Sequence, residues 1–198
     1  MWNENEIQDY LKHNLDRKRY EHTSRVMEEA IALSDVFAVD REKARTAALL
    51  HDAMKNRTTG YLVSHLESDA QARKDAYRTP EVLHGFSAAL LSRREAGIED
   101  EDILNAIRYH TTGRADMSDL EKVVYLADVI EAGRSYEGLE TLRELAYRTL
   151  DAAMLMALEM SLSHLMEKGR TIDSDTISAR DYFHAASGNH GLQSRTED

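Results

Sequence analysis

Apolar residues recur along this chain at intervals of three and four, the period of an α-helix, and strand-like alternation is absent. Glu4 to Leu15 puts Ile7, Tyr10 and Leu11 on one side and predicts a first amphipathic helix. Arg17 to Tyr20 reads as a basic joint. From about Glu21 to Val36, His22, Val26, Ala30 and Leu33 fall on one face of a second helix. Ala44, Ala47, Ala48, Leu49 and Leu50 predict a buried helix, with Asp40 as its cap and Glu42 in the first turn. That helix ends in His51-Asp52, and Lys55 follows one turn later. Asn56 to Gly60 breaks the pattern, and Tyr61 to Tyr77 reads as a polar helix or lid.

Thr79-Pro80-Glu81 predicts a helix start, with Thr79 as N-cap and Pro80 in the first position. His84, Ala88 and Leu91 share its face, and Gly97 ends it. Asp100 caps a helix whose apolar face is Ile103, Ala106, Ile107 and His110, and Gly113 stops it. Ser118-Asp119-Leu120-Glu121 is a capping box. In the helix it opens, Leu120, Val124 and Asp128 share a face, and Glu131-Ala132-Gly133-Arg134 is the exit. Leu139 to Glu167 is expected to be continuous helix, with Leu142, Leu145, Leu150, Ala153, Met156, Met160 and Leu165 as core candidates. Lys168-Gly169-Arg170 ends it. Asp175 to Ala186 is expected as a last short helix, and residues 187–198 as a disordered tail.

Composition narrows the class. The 198 residues are 42% hydrophobic and 31% charged with a single proline, which fits one all-α domain, a helical bundle over residues 1–186. A net charge of -11 argues against binding to nucleic acid polymers, which want a basic face. An acidic chain that handles phosphates must gather its cations locally. The absence of cysteine excludes disulfides and thiolate metal sites. Met1 to Glu6 is polar and acidic, unlike a signal peptide. The longest apolar run, Ala152 to Leu158, is too short to span a bilayer, so no membrane role and a cytoplasmic setting are expected.

The candidate chemistry lies in six residues placed on inward faces or helix ends: His22, His51, Asp52, His84, His110 and Asp128. Buried polar groups need compensation. Neutral histidine and ionised aspartate together are ligands for a divalent cation such as iron, manganese, cobalt or zinc, in one or two copies. Each also has a plain structural reading: a core histidine bonded to a carbonyl, or a salt-bridged aspartate. Arg19, Lys55 and Arg134 are candidate cations for phosphate charge, or ordinary solvated side chains. Phosphoryl transfer asks for positioning and charge neutralisation. No serine or cysteine nucleophile and no glycine-rich phosphate loop competes. His65, among Ser64, Glu67 and Asp69, is expected to be solvated, and His164 to lie at the rim. The methionines of the long helix read as packing or as a homodimer face.

The order His … His-Asp … His … His … Asp resembles the HD-domain metal phosphohydrolases. That resemblance implies an HD-domain helical bundle with His22, His51, Asp52 and Asp128 as metal ligands. It makes His84 and His110 ligands of a second metal or phosphate contacts. Arg19-Tyr20-Glu21-His22-Thr23, Ala47-Ala48-Leu49-Leu50-His51-Asp52 with Lys55, Leu83-His84-Gly85, His110-Thr111-Thr112-Gly113 and Tyr125-Leu126-Ala127-Asp128 resemble, more closely, the bacterial YqeK family. The likeness runs from about Arg17 to Ala186. It implies an iron-dependent enzyme that cleaves diadenosine tetraphosphate symmetrically to two ADP. Catalysis would fall to Asp52, Lys55, His84 and His110. Nucleotide contacts would come from Arg19, Lys55, His84, His110, Val129, Arg134 and the loop Thr171, Ile172, Asp173, Ser174, Asp175 and Thr176. Ala132 and Ser174 stand where the family pattern leads one to expect proline. Competing readings are an HD phosphohydrolase of nucleoside monophosphates or a guanosine alarmone, and a non-catalytic nucleotide sensor. Ala53-Met54-Lys55-Asn56 lacks the acidic residues that alarmone hydrolases carry after the His-Asp pair.

Overall fold

The computed structural model describes residues 1–193, with side chains through residue 187, and contains helices and no strands among the described residues. The helices are α1 Glu4–Asn14, α2 Arg17–Phe37, α3 Arg41–Leu50, α4 Thr59–Glu67, α5 Leu83–Arg94, α6 Glu101–Tyr109, α7 Asp119–Ile130, α8 Leu139–Ala146, α9 Leu150–Glu167 and α10 Ser174–Gln193. A 3-10 turn spans Arg73–Tyr77. Among the described residues no helix is long and apolar enough to cross a membrane.

Local chemistry sets most of the starts. Asp40 accepts from the N–H groups of Glu42 and Lys43, Asp100 accepts from Asp102, and Ser118 forms the expected box with Glu121. These side chains satisfy donors that a helix start leaves unpaired. Asp16 caps α2, so the expected basic joint is instead the first turn of that helix, with Arg17 paired to Glu21 at 2.7 Å. Four further expectations are corrected. The 61–77 segment divides into α4 and the 3-10 turn. Helix α5 begins at Leu83 because residues 80–82 form a turn in which the Val82 N–H bonds the Thr79 carbonyl; Thr79 caps nothing. Tyr147 to Thr149 separates α8 from α9, where one helix was expected. Helix α10 continues past Ala186 to Gln193, so the disordered tail expected over 187–198 is helical to 193, and 194–198 lie outside the described residues.

Helix α7 is central and packs on α2, α3, α6, α8 and α9. It is buried nearly all round, through Leu120, Val123, Val124, Tyr125, Leu126, Ala127 and Ile130. Helix α3 packs on α1, α2, α5, α6 and α7. Its Ala44, Ala47 and Ala48 are fully buried, and small side chains let neighbouring helices come close. In α9 the deepest residues are Ala153, Met154, Ala157 and Leu158, while Met156 and Met160 pack half-buried against the core.

Candidate metal centre

Four helix ends and one helix face meet at a single point. His22 comes from the second turn of α2, and His51 is the C-cap of α3, with Asp52 in the following turn. His84 opens α5, His110 caps the C-terminal end of α6, and Asp128 lies in the last turn of α7. Asp52 is the hub. Its Oδ2 lies 3.4 Å from His51 Nε2 and 3.8 Å from His22 Nε2. Its Oδ1 lies 3.2 Å from His84 Nε2 and 3.6 Å from His110 Nε2. His22 Nε2 is 3.1 Å from Asp128 Oδ1.

The approach of α5 to the end of α6 depends on Gly85. A Cβ there would stand 2.9 Å from the Arg108 carbonyl oxygen and 3.2 Å from His110 Cε1. Without it, the Nε2 atoms of His84 and His110 come within 3.1 Å.

The backbone fixes two tautomers. His51 Nδ1 lies 2.6 Å from the Ala48 carbonyl and His110 Nδ1 2.8 Å from the Ile107 carbonyl. A carbonyl only accepts, so both rings carry a proton on Nδ1 and turn Nε2 inward, as a lone pair whenever the ring is neutral. His22 Nε2, His51 Nε2 and Asp52 Oδ1 are buried without a hydrogen-bond partner. Buried acceptors left facing one another are costly unless a cation lies between them. His22, His51 and Asp128 form one group with ligand spacing, and His51, Asp52 and His110 an overlapping second. The donor set is imidazole and carboxylate, and it fits a divalent metal of the first transition row.

Charge at the site follows from burial and from pairing. Burial alone would lower the His51 imidazole, but the charges of Asp52 and Asp128 outweigh it and hold its pKa above the ordinary value. Burial would raise the Asp52 carboxyl, and the surrounding imidazoles hold it well below the usual range. Asp128 is likewise held low, against burial, by His22, His51 and Arg134. Burial lowers His110 and takes His84 down to about 4, so His84 is neutral near pH 7.

Three cations stand at the mouth. Arg19 Nη1 lies 2.7 Å from Asp52 Oδ2, and Arg134 Nη2 lies 2.5 Å from Asp128 Oδ1. Lys55 Nζ lies 3.0 Å from His84 Nε2 and 3.8 Å from Asp52 Oδ1. Burial depresses the Lys55 ammonium, partly offset by Asp52. Thr111 Oγ1 reaches both His84 and His110, at 3.3 and 3.0 Å.

Of the other expected nucleotide residues, Val129 directly follows Asp128 in α7. The Val129 carbonyl accepts from the Tyr136 hydroxyl at 2.8 Å. Residues 171–173 lead from α9 into α10 and residues 174–176 are its first turn, so the expected loop is helical in its second half; no hydrogen bond or ion pair among the described residues links 171–176 to the six clustered side chains. Asp173 and Asp175 are instead paired with Arg78 at 2.7 and 2.6 Å, and Arg78 sits 4.3 Å over the Phe86 ring. Thr171 and Ser174 are exposed, Ile172 is half-buried and Thr176 is buried. A cavity of about 530 Å³ against Arg78, Phe86 and Tyr109 contains none of the clustered residues. His65 is half-buried with Nδ1 2.5 Å from Ser87 Oγ, not solvated as expected, while His164 is exposed. The sequence reading passed over Arg25 and Glu131, which stand beside His22. The available signal was spacing: each falls three residues after a ligand, on the same helix face.

The chain belongs to the HD domain family, which matches residues 19–133. Within that class it is similar to proteins named symmetrical bis(5'-nucleosyl)-tetraphosphatase. The protein of that name from Halalkalibacterium halodurans is 39% identical over 84% of this chain and 89% of its own length. The one from Bacillus subtilis is 39% identical over 84% of this chain and 90% of its own. A crystal structure described as a predicted HD superfamily hydrolase involved in NAD metabolism, from Clostridium acetobutylicum, superposes with a TM-score of 0.85. It is 37% identical and covers 94% of this chain and 99% of its own.

Proposed function

We propose that this chain hydrolyses dinucleoside tetraphosphates symmetrically, converting diadenosine tetraphosphate and water to two ADP. The observation that carries the reading is the pairing of buried, uncompensated Nε2 and carboxylate atoms with three half-exposed cations at one mouth. The similarity to symmetrical tetraphosphatases over most of the chain supports the substrate class.

In this reading His22, His51, Asp52 and Asp128 hold a divalent metal, which supplies Lewis acidity and a nucleophilic water at neutral pH. His51 and His110 keep their protons on Nδ1 through Ala48 and Ile107, so ligand atoms need no rearrangement. Lys55, Arg19 and Arg134 bind phosphate oxygens, and Lys55 meets the charge that develops as the bridging bond breaks. His84 and His110, with Thr111 between them, contact phosphate or complete a second ion. Val129 and residues 171–176 serve the nucleoside side. Iron as the metal, a homodimer and a cytoplasmic setting belong to the same reading. Iron is supported by the mixed N/O ligand set and the YqeK resemblance, the homodimer by the methionine-bearing α9.

Hydrolysis in oxygen-18 water, read by mass spectrometry, tests the cleavage site. One label in one of the two ADP molecules is expected. AMP and ATP as products would overturn it.

A further inference from the structure

Glu131 caps the C-terminal end of α7, and its side chain is buried at 2% exposure. A carboxylate buried that deeply is tolerated only when it is well paired. Oε2 accepts from Arg25 Nε at 2.5 Å and from the Gly133 N–H at 2.5 Å. Oε1 lies 3.1 Å from His22 Nδ1 and 3.8 Å from Arg134 Nε. The backbone of the same residue is held too. Arg143 donates to the Ile130 carbonyl and to the Glu131 carbonyl, both at 2.9 Å.

The need for such a group lies in how His22 is mounted. His51 and His110 sit at helix ends, where each ring donates to a carbonyl three residues back. His22 sits inside α2, where the carbonyls are engaged in the helix and none pairs with its ring. Its tautomer must be set from another element. An ionised carboxylate accepts and cannot donate, so His22 Nδ1 carries the proton and Nε2 is left with a lone pair. That Nε2 is buried without a hydrogen-bond partner, 3.1 Å from Asp128 Oδ1.

We infer that Glu131 is a positioning residue that holds His22 in the Nδ1–H tautomer with Nε2 aimed at the metal, while fixing the Gly133-Arg134 turn through the same carboxylate. This rests on the metal-dependent reading above. Outer carboxylates of this kind orient ligand histidines, and their loss weakens metal binding by about 10- to 100-fold.

Glu131→Gln separates this role from bulk. Its amide oxygen is drawn to the two donors, Arg25 and Gly133, so its NH2 faces His22 Nδ1. That ring nitrogen must then accept, which moves the proton to Nε2 and removes the ligand lone pair. The test is a long-range proton–nitrogen spectrum of metal-free protein carrying nitrogen-15 histidine, at about pH 8, well above the ordinary histidine pKa. His22→Asn assigns the resonance by its loss. In the unmutated protein we expect protonated Nδ1 and unprotonated Nε2, and in Glu131→Gln the reverse. Zinc affinity by chelator competition should fall by about 10- to 100-fold in Glu131→Gln.

An Nε2–H His22 in the unmutated protein overturns the inference, and that measurement stands even where the variant fails to fold. An unchanged tautomer, or unchanged zinc affinity, in folded Glu131→Gln overturns it as well. Failure of the unmutated protein to take up zinc, manganese or iron would instead remove the metal reading itself, whatever the tautomer.

Discussion

Lys55→Met removes one cation from the mouth of the site and leaves the ligand set in place. Lys55 Nζ lies 3.8 Å from Asp52 Oδ1, with the side chain 35% exposed. A unit charge about 4 Å from developing negative charge is worth about 4 kcal/mol at an effective dielectric near 20. Water at the exposed third of the side chain reduces this, and single oxyanion donors elsewhere cost about 2.7–4 kcal/mol when removed. We therefore expect about 2–3 kcal/mol of lost transition-state stabilisation, or roughly a 30- to 150-fold fall in kcat. The loss should fall on kcat with KM little changed, because the charge grows as the bond breaks. Stability should change by less than about 1 kcal/mol, since Asp52 keeps Arg19 and its histidine neighbours. The assay is ADP release from diadenosine tetraphosphate, with metal content measured on the same preparation and thermal unfolding as control. A fully metallated variant with unchanged kcat, or one in which only KM rises, would refute the role given to the lysine.

His51→Ala and Asp52→Ala should each lose bound metal and activity while circular dichroism stays helical; metal occupancy equal to that of the unmutated protein would sink the ligand assignment. Gly85→Ala should push α5 off the end of α6, costing about 1–3 kcal/mol in denaturant unfolding and lowering activity as His84 and His110 separate; unchanged stability would mean the carbonyl contact relaxes freely. His65→Gln should leave metal content and activity nearly unchanged. Burial lowers the His65 pKa, so its stabilising contribution is whole above about pH 6.5 and fades as pH falls below it. The variant should flatten that acidic limb of the stability profile, and a steeper limb would contradict the sign.

The bundle was legible wherever a local rule decided the structure. Asp40, Asp100 and Ser118 cap helices because a side-chain oxygen only two or three bonds from Cα reaches the next amides, and that is written in a few residues. The same rule was available at Asp16 and was hidden by the basic run after it, whose charges are neutralised in part by the Arg17–Glu21 pair. The Tyr147-Arg148-Thr149 break carries no glycine or proline. It lets α8 and α9 pack on each other and both on α7, a tertiary arrangement that periodicity cannot register. The polar residues of the site were legible as anomalies, histidines and an aspartate recurring on apolar faces. Glu131 carried only its three-residue spacing from Asp128, and at the end of α7 that looks like any solvated exit residue. Its burial comes from Arg25 of α2 and Arg143 of α8, both distant in sequence.

The distribution of burial gives the site a direction. His51 and Asp52 are almost wholly enclosed, whereas the side chains of Arg19, Lys55 and Arg134 are 30%, 35% and 38% exposed. The groups suited to a cation therefore lie inside, and the groups suited to phosphate lie between them and solvent. A net charge of -11 opposes the approach of a polyphosphate, and under the proposed reading these three side chains would supply the local attraction. Arg19 and Arg134 each hold a carboxylate of the cluster, Asp52 and Asp128. A cation held by the cluster would take over part of that neutralisation, and the Arg19 and Arg134 guanidinium groups would then have hydrogen bonds to offer phosphate oxygens. Under the proposed reading the charges would favour metal before polyphosphate, with Arg19 and Arg134 exchanging carboxylate for phosphate oxygens.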